Sequence, residues 1–88
     1  MLVSPTFGRV APPIPPGWQW PVPMEEWVAY TYLDNMTGTP AVSVPCGFVD
    51  GLPVGLQVMG PAGAEGLLLE VAAALEHLQP WANRHPGI

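Results

Sequence analysis

Lysine is absent from this sequence of 88 residues, and arginine occurs only as Arg9 and Arg84. Seven acidic residues set the formal net charge at -5. A nucleic-acid binder needs clustered cations to neutralise phosphates, so that class is excluded. An anionic membrane surface is disfavoured on the same ground. Long apolar runs are missing as well: proline and glycine interrupt every stretch before it reaches the ~20 residues of a membrane span. The start, Met1-Leu2-Val3-Ser4-Pro5, has no basic segment ahead of an apolar one and does not read as a signal peptide. Cys46 is the sole cysteine. One thiol makes no internal disulfide and fits a cytoplasmic setting.

Charge of either sign is scarce. Charged residues are 10% of the chain and hydrophobic ones 49%, where a soluble chain carries about 25% charged. A chain this short buries only about 60–65% of its unfolded surface. The balance suits a segment that sits against something larger, and it predicts exposed apolar patches in the isolated chain.

Proline is abundant and unevenly placed. Residues 1–23 hold seven of the 13 prolines. Each fixes φ and removes a backbone donor, so 11–23 read as an extended arm of polyproline II character, preceded by a short strand at Leu2-Val3-Ser4. Residues 24–33 read as a helix, with Pro23 at its entrance and Glu25 and Glu26 in its first turn. Residues 41–46 and 54–59 read as two strands of an antiparallel hairpin, with Asp50-Gly51 as the turn signal. Their weak alternation implies cover on both faces. Residues 64–78 carry Leu68, Val71, Leu75 and Leu78 at helical spacing, ended near Pro80. Trp81–Ile88 reads as irregular. The whole is one α/β segment over 1–88: strand plus Pro-rich arm (1–23), then helix, hairpin and helix (24–88).

Two stretches carry a resemblance: Asn35-Met36-Thr37-Gly38-Thr39-Pro40-Ala41-Val42-Ser43-Val44-Pro45-Cys46-Gly47, and Gly51-Leu52-Pro53-Val54-Gly55-Leu56-Gln57-Val58-Met59-Gly60-Pro61. In this order and spacing they resemble the C-terminal region of the amidase-signature family, which includes general amidases and the A subunit of glutamyl-tRNA amidotransferase. Leu2-Val3-Ser4-Pro5-Thr6 is similar to the strand just before that region, and Leu67, Leu68, Val71 and Ala72 to the helix after it. The physical sense of the motifs is structural. Gly38 and Gly47 permit backbone shapes that a Cβ resists, and Gly55 allows a neighbour to come close.

The resemblance implies amide cleavage by a serine nucleophile, a second serine on a cis peptide and a lysine base, with backbone amides holding the oxyanion. All three residues belong upstream of the region matched here. Ser4 and Ser43 match none of those positions, so no catalytic residue is carried over and the chain is not expected to act alone. The resemblance also implies that glutamine-using members carry an acid seven positions before the residue matching Asn35. Here that position is Val28, beside Trp27. An apolar side chain does not pair with an ammonium group, which points to a general amidase or an aryl/alkyl amidase rather than a glutamine amidotransferase, unless Glu26 takes the role through a shifted helix. Trp27 and Val28 are the candidate substrate-lining residues.

Other features read as structural. Cys46, with His77 or His85 as base, could form a nucleophilic pair, but a small buried residue between Pro45 and Gly47 is the plainer reading. Glu70 and His77 share a helix face without a third ligand, so no metal site is expected, and nothing calls for a cofactor. Arg9-Val10-Ala11-Pro12-Pro13-Ile14-Pro15 has the spacing of an SH3 ligand, although such patterns arise by chance. Trp18, Trp20, Trp27 and Trp81 read as packing residues. The expected partner is a larger chain bearing the serines and the lysine. The alternative is a binding or scaffold module that has kept the amidase subfold and self-associates as a two-fold dimer.

Overall fold

A computed structural model describes residues 1–17, 19–20 and 22–84. The readings placed on Trp18, Pro21, His85 and the last residues of the tail lie outside these. Six elements follow in order: β1 (Leu2–Pro5), α1 (Met24–Trp27), α2 (Tyr32–Thr37), β2 (Ala41–Val49), β3 (Leu52–Met59) and α3 (Glu65–Leu78). They form a mixed α/β unit around one three-stranded sheet of order β1-β3-β2, antiparallel throughout. The described residues of the arm, 11–17, 19–20 and 22–23, contain neither helix nor strand.

The hairpin is tighter than expected. Val49 pairs with Leu52, so its loop is Asp50-Gly51 alone. Both take positive φ, 52° and 76°, as a two-residue type I′ turn requires. Both strands therefore run further than 41–46 and 54–59. Each longer strand contains a proline, in a place where a ladder tolerates one. Pro45 lies on edge strand β2 and opens a bulge, since the register passes from Pro45–Gly55 to Phe48–Pro53. Pro53 lies on the central strand, but beyond the last β1 pair, Pro5–Leu56.

That bulge corrects the reading of Cys46. The residue falls in the register gap rather than in the ladder, and it is exposed, not buried.

The single helix expected over 24–33 is two short ones. α1 stops at Val28 (φ -108°, ψ 15°), residues 28–31 turn, and α2 runs on to Gly38. Two causes coincide. Val28, Tyr30 and Thr31 are β-branched or aromatic and weak helix formers. The Tyr30 carbonyl, moreover, accepts from the Gln57 side chain, a partner that a helical ladder would have displaced.

α3 packs on β2. Leu68 is buried and Val71 and Leu75 are half-buried, as their spacing predicts. Leu78, expected on the same face, is 79% exposed: it lies a turn beyond Leu75, where no described residue covers it. Cover on both faces of the strands also fails in part. Gln57 and Val58, consecutive residues on opposite faces of β3, are both buried, whereas most of β2 is exposed. Among the described residues only Val22, Val44, Val58 and Leu68 are buried hydrophobics. The envelope of 41 × 33 × 17 Å is a slab. Its radius of gyration of 14.6 Å exceeds the about 12 Å expected for a compact chain of this length.

The turn supplies a direct test. Gly51→Ala should lower stability by about 1 kcal/mol, read as a fall of about 4–8 °C in the thermal midpoint. Asp50→Asn, which tolerates positive φ equally, should leave the midpoint in place.

Candidate functional site

Register brings polar residues into one row. Gln57 on the central strand pairs with Ser4 on β1 and with Ser43 on β2. Directly paired residues share a face of a sheet, so three polar side chains point the same way. Gln57 is only 3% exposed, and a buried amide needs partners. Its Nε2 donates to Ser4 Oγ at 3.3 Å and to the Tyr30 carbonyl. The α1–α2 connection is thereby clamped over the row.

Thr6 follows β1 on the same face. Its Oγ1 lies 2.6 Å from Ser43 Oγ, although β3 runs between them. Gly55 makes this possible: a Cβ there would lie 2.9 Å from Thr6 Oγ1 and 3.0 Å from Ser43 Oγ. The two hydroxyls meet over a strand that has no side chain at that point.

Beside the row stands an aromatic group. Trp27 packs against Phe7 with tilted rings at 5.2 Å and edge-to-face against Trp20 at 5.4 Å. With Pro12, Val54 and Gly55 it lines a cavity of about 360 Å³. Val28, next in sequence, is half-buried and caps α1, its N–H bonding the Met24 carbonyl at 3.1 Å. Glu26 is engaged by Arg9. In a polyproline II arm Arg9, Pro12 and Pro15 fall on one ridge. Arg9 is bound to Glu26, Pro12 lies against the aromatic cavity, and Pro15 is half-buried. On the ridge an SH3 domain would read, Arg9 is thus paired and Pro12 is packed within the chain.

The hydroxyls are not set up for nucleophilic attack. Ser4 Oγ donates to the Pro5 carbonyl at 3.0 Å, and Ser43 Oγ is shared with Thr6. Among the described residues no histidine or carboxylate bonds to either, and His77 is an exposed residue of α3. No group of three His, Cys, Asp or Glu side chains among them could hold a metal ion. Chemically, the row orders a surface; it holds no base. Sequence reasoning misses Gln57 and the Thr6–Ser43 pair. The available signal is that Gln57 is the one hydrogen-bonding side chain between Leu52 and Met59.

The family described as Amidase matches residues 1–69, more than half of the 88. The chain belongs to the amidase family. "Putative amidase AmiC" of Mycobacterium tuberculosis is 37% identical over 97% of this chain and 19% of its own length. "Putative amidase AmiA2" of the same organism is 49% identical over 66% of this chain and 12% of its own length. The A subunit of the glutamyl-tRNA(Gln) amidotransferase of Salinispora arenicola is 49% identical over 85% of this chain and 15% of its own length. The amidase-family chain thus spans about an eighth to a fifth of these curated relatives. No solved structure matches it. The helices and the antiparallel sheet are those of a partial amidase domain.

Two substitutions test the row. Gln57→Leu leaves the Tyr30 carbonyl without its donor and should cost about 1–3 kcal/mol in denaturant unfolding. Gly55→Ala should cost a similar amount, about 1–3 kcal/mol. That cost should shrink in a Thr6→Ala/Ser43→Ala background, where the hydroxyls no longer oppose the new methyl group.

Proposed function

We propose that this chain is the C-terminal portion of an amide hydrolase and does no chemistry alone. It completes the sheet of a second, larger chain that carries the catalytic serines and the lysine. The observation that carries this reading is the absence of lysine from an amidase-family sequence: a serine nucleophile of this kind needs an uncharged amine as base. The open architecture supports a partner. A slab 17 Å thick, with Leu2, Val3, Met36 and Leu69 all exposed, leaves apolar area that association would cover.

On substrate, Val28 and Trp27 favour an aryl or alkyl amide over glutamine. Val28 offers no charge to an ammonium group, and the carboxylate nearest in sequence, Glu26, is taken by Arg9. A single cysteine suits a cytoplasmic setting. Among the described residues no helix is long and apolar enough to cross a membrane.

A second reading has its own observation. A cavity of about 540 Å³ runs along the sheet between Val3, Phe7, Cys46, Val54 and Leu56. Covered by a second copy, this open face would make a two-fold scaffold dimer with the amidase subfold and no activity.

Gentle isolation from the source, with weighing of whatever accompanies the chain, separates the readings. A larger partner bearing the serines and the lysine is expected, and the pair should hydrolyse an aryl amide faster than glutamine while the chain alone hydrolyses neither. A chain that runs only with copies of itself overturns the split-enzyme reading in favour of the scaffold.

A further inference from the structure

The bulge in β2 borders a third cavity, of about 300 Å³. Its walls come from three places: Pro45 and Phe48 across the bulge, Pro53 at the start of β3, and Gln79, Trp81 and Arg84 in the segment after α3. A turn holds the last two, the Arg84 N–H bonding the Trp81 carbonyl at 2.8 Å. The Arg84 guanidinium lies over the Phe48 ring, 4.5 Å from its centroid.

We infer that this cavity binds an aromatic monocarboxylate of about the size of benzoate. The chemistry follows from the lining. The contact with Phe48 holds the guanidinium beside the cavity, and its forked N–H groups suit a carboxylate, which they meet in parallel pairs. Arg9 is neutralised by Glu26, whereas no carboxylate pairs with Arg84 among the described residues. Phe48, Trp81 and the prolines offer an apolar slot to a flat ring, and Gln79 supplies a second polar group at its side. A few convergent polar groups in an otherwise apolar cavity of this volume are the usual form of a small-molecule site. One cation in a chain of net charge -5 suits a single negative charge. A phosphate dianion or a polyanion would call for more. The site is formed by this chain's own residues and does not rest on the split-enzyme reading.

The test is calorimetric titration of the intact chain, in whatever assembly it is purified, with benzoate, with benzyl alcohol and with inorganic phosphate. Saturable benzoate binding is expected, at least about tenfold tighter than either control. Arg84→Gln should weaken benzoate at least about tenfold, and Trp81→Leu should weaken it while leaving circular dichroism unchanged. Benzyl alcohol or phosphate binding as tightly as benzoate would overturn the inference, as would no benzoate binding or an Arg84→Gln variant that binds normally. The benzyl alcohol comparison uses the unsubstituted chain, so it decides the matter even if a variant misfolds.

Discussion

A single buried amide organises this molecule. Gln57 sits on the central strand, shut off from water, where an unpaired donor would cost more than most side-chain contacts return. Its two protons are taken by β1 and by the turn between the first two helices. That one requirement settles several things together. It ties β1 to β3 by side chain as well as by ladder, and it sets the height of the α1–α2 connection over the sheet. It also holds the Tyr30 carbonyl out of a helix. The neighbouring hydroxyl pair extends the clamp to β2, because Gly55 leaves room for Thr6 to reach Ser43.

Legibility in the sequence depends on range. The Asp50-Gly51 turn and the apolar period of α3 are local signals, and both elements stand where such signals place them. The break at Val28 is illegible to local reasoning, since Pro23 and two glutamates announce a helix start correctly but say nothing about Gln57, 27 residues beyond Tyr30. Cys46 eludes the sequence for a related reason: a strand pattern does not show that Pro45 will shift the register and leave the next residue outside the ladder. Trp27 and Val28 are neighbours in the chain with different surroundings, the first in an aromatic group and the second at a helix end. The contact of Arg84 with Phe48 is fixed only by the bulge and by the chain's return after α3.

The molecule combines a well-specified sheet with little interior. Central-strand residues are satisfied on both faces, yet only four hydrophobics are buried among the described residues. Hydrogen bonding and turn chemistry thus specify the architecture more than apolar burial does. Such a unit keeps its internal register while leaving its faces available, in keeping with a partial amidase domain.

Proline placement has a consequence for colloidal behaviour. An apolar, sparsely charged chain with a three-stranded sheet would ordinarily be a hazard for fibril growth, because each outer strand is a template for another. Here each outer strand carries a proline, Pro5 on β1 and Pro45 on β2, and the second also has the bulge. Neither offers an unbroken row of donors to an incoming strand. The chain can therefore keep large apolar faces open for specific burial while its edges resist indefinite stacking.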